Sequence, residues 1–197
     1  MIAGAASMIA RRGVNATSVR EVVRHTQTPR GSIAHHFPGG KQQLVEEAVT
    51  FAGQAISTAL ERRMQEQGAL AGMRLFINLW RQNLEASKFT AGCPVLAVCL
   101  DHGLDTETTP DAASISARLR LLDVSNAAFA DWQQIICGAL MREGVSPVRA
   151  QRLATLAISA VEGTVAMCRA ARNPSALDAV AAELELAVAA AIQEGGA

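Results

Sequence analysis

The sequence predicts an all-α protein, on three observations. Half of the residues are hydrophobic and Ala supplies much of that share; Ala is the strongest helix former. No segment alternates β-branched and polar residues as a half-buried strand does. Apolar residues instead recur three and four apart, in segments that open near Ser, Thr or Pro and close at Gly, which is the punctuation of helices.

The first helix begins almost at Met1, with Ile2, Ala5, Ala6 and Ile9 on one face, and Gly13 stops it. Thr17 or Ser18 caps the second, and Glu21 stands three residues after Ser18 as in a capping box. That helix, over 19–25, turns Val19, Val22 and Val23 inward. After the turn Thr26-Gln27-Thr28, Pro29 opens a short helix that ends at Phe37-Pro38-Gly39-Gly40; proline suits the first helical position because its missing N–H is unpaired there anyway.

A long helix follows over 41–67, with Leu44, Ala48, Phe51, Ala55, Ile56, Ala59 and Leu60 as its apolar stripe, and Gly68 ends it. The next, over 70–88, aligns Leu70, Met73, Phe76, Ile77, Trp80 and Leu84. After a break at 89–94 come a short helix over 95–102, a polar connection over 103–110 and a long helix over 111–143. Ser146-Pro147 starts a helix to 172, and Asn173-Pro174 separates it from a last one over 175–193.

The formal net charge is zero, but it is unevenly spread. Residues 1–50 hold six basic against three acidic side chains and three of the four His. A basic end on a neutral chain suits an anionic partner. The four Cys have no CxxC spacing and no His near them in a zinc-like pattern, so no metal or other cofactor is expected. With no signal peptide and no charge-free apolar run of about 18 residues, the expectation is reduced thiols, no membrane span and a cytoplasmic location.

Short helices joined by a turn of about three residues fit a helix-turn-helix, which needs a helix with small or polar outward residues to enter the major groove. Arg30, Gly31, Ser32, His35 and His36 suit that helix. An Arg reads guanine edges in a bidentate way, and Gly lets the backbone come close. Thr17, Ser18, Thr28 at the helix start and Lys41 at the next one are candidate phosphate contacts. A capped helical hairpin with a solvated basic face has the same spacing.

The residues themselves carry a resemblance. Gly13-Val14-Asn15-Ala16-Thr17-Ser18-Val19-Arg20-Glu21-Val22, followed by Pro29-Arg30-Gly31-Ser32-Ile33-Ala34-His35-His36-Phe37-Pro38-Gly39-Gly40-Lys41, resembles the DNA-binding domain of TetR-family repressors. Gly92-Cys93-Pro94-Val95-Leu96-Ala97-Val98 resembles the ligand domain of the LmrA/YxaF-type subgroup. The resemblance implies a homodimeric repressor of about nine helices, released from double-stranded operator DNA by a ligand. Residues 1–45 would be the helix-turn-helix domain and 46–197 the ligand-binding and dimerisation domain. The sequence departs from the family twice: Ala34 stands where a phosphate-reaching Tyr is usual, and the first helix begins without the usual basic arm.

For the effector, Leu119, Leu122, Asn126, Phe129, Gln133 and Ile136 form a stripe on the helix over 111–143 that is expected to face inward. Asn126 and Gln133 on that stripe, and Asn83 beside Phe76 and Trp80, suit a pocket with a few orienting hydrogen bonds; neighbouring helix ends satisfy such amides equally well. With Trp132, Met64 and Cys99 these residues make the candidate ligand site, and the clustered aromatics favour a flat lipophilic or aromatic effector. Ser159, Gly163, Ala166 and Ala170 form a small-residue strip that permits close helix contact, and Leu184 and Val188, with Ala182, Ala187 and Ala191, complete a candidate dimer bundle. Packing within the chain is the alternative.

Three other classes compete, one of them an adaptor with no DNA role. Cys93 before Pro94 sits where a thiolate is favoured, but His102 is the only His beyond residue 50 and an activated Cys needs a base, so no catalytic residue is assigned. A thiol-based redox regulator using Cys93 and Cys99 is the alternative function, although six residues apart on one helix they do not face each other.

Overall fold

The computed structural model describes residues 1–28, 35–101 and 111–196. Among these are seven helices: α1 (Ile2–Arg12), α2 (Val19–Thr26), α3 (Gly40–Ala86), α4 (Pro94–Leu100), α5 (Ala112–Arg142), α6 (Pro147–Ala171) and α7 (Ser175–Gly195). The helix expected over 29–36 lies outside the described residues except for His35 and His36, whose backbone is helical. The expected polar connection over 103–110 also lies outside them.

Local chemistry accounts for the helix ends. Ser18 and Glu21 form the anticipated capping box at α2, and Gln27 in the left-handed region ends that helix. Pro94 opens α4, where the Cys93 sulfur accepts from the N–H of Leu96, and Pro147 opens α6. Gly68 has φ 85° and ψ 177° within α3, a conformation open almost only to glycine. The interruption expected there therefore exists, although helix resumes at once. The freed N–H of Ala69 donates to Glu143 Oε1 at 2.5 Å, which steadies the break.

The chain forms two compact units. The first contains Met1–Gln54 and Cys93–Ala128. Its core is built from Ala5, Ile9, Val22, Leu44, Val45, Ala48 and Val49, together with Val95 and Val98 of α4. Gly53 lets α3 and α5 come close, since a Cβ there would lie 2.8 Å from the Cβ of Ala128. Of the row expected on α3, Leu44 and Ala48 are buried in this unit with Val45 and Val49 beside them, and Leu60 is buried in the second unit, whereas Phe51 is 48% exposed and Ala55 is exposed as well.

The second unit contains Ala55–Gly92 and Phe129–Ala197. Phe76, Trp80 and Leu84 of α3 are buried there, as are Trp132, Ile136 and Leu140 of α5. Along its length α5 buries Leu121, Ser125, Trp132 and Ile136. Leu119 and Asn126, expected on the inward stripe, are exposed. This Ala-rich helix carries apolar residues on several sides, so its pattern admits more than one stripe and its packing partners select among them.

Helix α6 is long and apolar enough to cross a membrane by length and composition, but half of its most apolar window is buried inside the protein. It also holds the buried Glu162. It is a core helix of the fold.

Candidate DNA-binding and effector sites

Around α2, the hydroxyl of Thr17 donates to the carbonyl of Gly13 at 2.7 Å, and Thr17 is only 2% exposed. A phosphate needs both the proton and the access, so Thr17 closes the turn between α1 and α2 and is not a phosphate contact. Ser18 is exposed. Its hydroxyl donates to Glu21 Oε2 at 3.0 Å and accepts from the Glu21 N–H at 3.3 Å. The hydrogen bonds from Ser18, reinforced by the Arg12 and Arg24 charges, hold the Glu21 carboxyl below its ordinary value.

Thr28 is half-buried; its Oγ1 lies 2.8 Å from that of Thr26 and its N–H donates to the carbonyl of Val23. Arg30, Gly31 and Ser32, the expected groove-reading residues, lie outside the described residues. His35 and His36 are exposed, with their rings edge to face at 5.0 Å. Lys41, exposed in the first turn of α3, donates to the main-chain oxygen of Asn15 at 3.4 Å. Arg20 and Arg24 are further candidates that sequence reasoning missed. They stand exposed one helical turn apart on α2, opposite the buried Val22 and Val23, and that spacing is legible in the sequence.

In the second unit four aromatic rings meet. Trp132 is edge to face with Phe129, Phe76 and Trp80 at centroid distances of 5.4, 5.9 and 6.5 Å, the arrangement ring quadrupoles favour. Met64 and Ile136 are buried in the same unit. Nε1 of Trp80 is buried with no hydrogen-bond partner. The polar residues beside the rings are engaged: Asn83 Nδ2 donates to the carbonyl of Gly92 at 3.4 Å, and Gln133 Nε2 to Thr155 Oγ1 at 3.2 Å. Cys99 and Asn126 belong to the first unit. The Cys99 thiol donates to the carbonyl of Val95, and Asn126, exposed, is off the inward row of α5.

On α6, Ser159, Gly163, Ala166 and Ala170 form an exposed strip, and a Cβ on Gly163 would meet nothing within 4 Å. Leu156 and Met167, not singled out from the sequence, add exposed apolar area to this helix. Leu184 and Val188 do not share that role. They are 4% and 1% exposed within the single chain, because α7 turns Leu177, Leu184, Val188 and Ala191 toward its own core. None of the four cysteines is in a disulfide, and Cys93 and Cys168 are buried. Among the described residues no cluster of His, Cys, Asp or Glu is suited to a metal ion.

The short helix α1 and the capped α2 with its exposed Arg20 and Arg24, followed by a larger helical part, suit a helix-turn-helix regulator. Residues 1–48 match the bacterial regulatory proteins of the tetR family, and residues 69–183 match the C-terminal domain of LmrA/YxaF-like transcriptional regulators. The chain belongs to the TetR family of DNA-binding transcriptional regulators, with a C-terminal domain of the LmrA/YxaF-like type.

Relatives agree. An uncharacterized HTH-type transcriptional regulator of Mycobacterium tuberculosis is 35% identical over 93% of this chain and 90% of its own. YxaF of Bacillus subtilis, another such regulator, is 28% identical over 90% of this chain and 87% of its own. The fold matches a TetR transcriptional regulator from Legionella pneumophila with a TM-score of 0.77 at 19% identity, covering 94% and 93% of the two chains.

Proposed function

We propose that this regulator is a homodimeric repressor, acting in the cytoplasm on double-stranded operator DNA and released by a small lipophilic or aromatic effector. In this reading residues 1–45 bind the operator and 46–197 bind the effector and the second subunit. Arg30, with Gly31, Ser32, His35 and His36, reads the groove, while Lys41 holds a phosphate. The exposed small-residue strip of α6 supports the dimer, because a two-fold pairing needs a surface where backbones approach closely. Operator half-sites then lie about one helical turn, or a multiple, apart.

One observation carries the effector reading: the buried, unpartnered Nε1 of Trp80 within the aromatic cluster. A buried N–H without an acceptor is costly, and an effector with an oxygen beside a flat ring offsets that cost while stacking on Trp80 or Trp132. Induction requires that the effector bind the DNA-free conformation better, and linkage makes operator weaken effector binding by the same factor. Helix α3 is the lever, since the same helix carries both Lys41 and Met64.

The test titrates acetophenone and naphthalene against the operator complex while following tryptophan fluorescence. The acceptor-bearing ketone is expected to quench the tryptophans, to bind more tightly than naphthalene and to lower operator affinity. A ligand that quenches the tryptophans yet leaves operator affinity unchanged rules out the coupling.

A further inference from the structure

A cavity of about 360 Å³ opens in the first unit, the one that contains α1 and α2. Its apolar wall is made by Val14 after α1, Val45 of α3, Val98 of α4 and Leu121 of α5. Among the described residues two cations line it, Lys41 and Arg118. Nη1 of Arg118 is buried and has no hydrogen-bond partner among the described residues. Among the described residues the acid on the wall is Asp101, whose Oδ2 accepts from the Asn15 N–H at 2.8 Å. Gln42 is no alternative anion donor, because its Nε2 already donates to Glu46 Oε1 at 2.6 Å and to the carbonyl of Ala117 at 2.9 Å.

These features define one kind of ligand. A guanidinium N–H buried without an acceptor favours an anion, and a planar carboxylate matches the guanidinium fork. Valine and leucine walls disfavour a phosphate, whose remaining oxygens would face hydrocarbon. The volume lies at the lower end of the range for small-molecule sites. We propose that this cavity binds a small amphipathic carboxylate, with its carboxylate on Arg118 and its apolar body against Val45, Val98 and Leu121. The same ligand draws Lys41 inward and so competes with operator phosphate for that cation. This site is independent of the aromatic cluster, whose residues all belong to the second unit.

The experiment uses the full chain with benzoate and its neutral isostere benzamide, by calorimetry at fixed pH and salt. Benzoate is expected to bind about tenfold or more tightly than benzamide, the scale of a charge-assisted hydrogen bond. Arg118→Gln removes the preference and Arg118→Lys keeps part of it. Ala117→Leu, which narrows the cavity and retains the guanidinium, weakens benzoate binding and carries the test if Arg118→Gln fails to fold. Saturating benzoate raises the operator Kd of the wild type. Equal affinity for the two probes, or a preference intact in Arg118→Gln, overturns the site, and an unchanged operator Kd overturns the competition for Lys41. Neutral aromatics that release the operator while benzoate does not bind would overturn this proposal and leave the effector reading standing.

Discussion

The ammonium of Lys41 donates to the main-chain oxygen of Asn15 at 3.4 Å, which ties the first turn of α3 to the connection between α1 and α2. The bond is at the long end of the hydrogen-bond range. An ammonium carries three donors, so this tether orients the side chain and leaves it capacity for a phosphate.

Lys41→Ala is expected to weaken binding to every DNA sequence alike and to flatten the slope of log affinity against log salt by about one unit, because one phosphate is no longer neutralised. Arg30→Ala is expected to reduce discrimination among operators instead. Anisotropy titrations over a salt series separate the two, and an unchanged salt slope in Lys41→Ala removes that residue from the interface.

Ser18→Ala deletes the reciprocal cap of α2 and is expected to cost about 1 kcal/mol in chemical denaturation. The effect has a pH signature. The carboxyl of Glu21 is held below its ordinary value of 4.5, chiefly by the Ser18 hydrogen bonds, so its contribution is present above pH 4.5 and is lost as the pH falls through the lowered native value. The melting temperature of the wild type should therefore approach that of Ser18→Ala on acidification. A gap that stays constant down to full protonation would contradict the cap.

Gly53→Leu is expected to destabilise the first unit by about 2 kcal/mol, because α3 and α5 must separate to admit the side chain. The close approach behind this is the 2.8 Å between a Cβ at Gly53 and the Cβ of Ala128. Gly53→Ala meets the same neighbour but recovers about 1 kcal/mol of helix propensity, so its loss should be smaller. Equal stability of Gly53→Leu and wild type in urea would show that the helices yield freely.

Gly163→Glu is expected to convert a dimer at micromolar concentration into a folded monomer. The Glu side chain enters open space in the single chain, so helix content by circular dichroism should hold while the mass in light scattering halves. A variant that remains dimeric places the interface elsewhere.

What is legible in the sequence is local. The Ser18–Glu21 box, the proline starts at Pro94 and Pro147 and the interruption at Gly68 each depend on chemistry within four residues, and such patterns can be read directly. The family signature at residues 13–41 is local in the same sense, and so is the spacing of the exposed pair Arg20 and Arg24.

The inward faces of α1 and α2 were legible too, since Ile9 and Val22 are buried as their spacing predicts, but elsewhere only the tertiary structure decided which face turns inward. Thr17 looks like a surface hydroxyl until the α1–α2 turn folds its proton onto the carbonyl of Gly13. Leu184 and Val188 suit a dimer seam by spacing, yet their own chain buries them. Spacing also puts Asn126 and Leu119 on an inward stripe, and α5 buries Leu121, Ser125, Trp132 and Ile136 instead. For the two helices the reason is shared: segments rich in alanine carry apolar residues around most of their circumference, so periodicity leaves the buried face open and the packing of distant segments selects it. The cavity at Arg118 belongs to this second kind, since its walls come from four segments spread between Val14 and Leu121, and no local pattern brings them together.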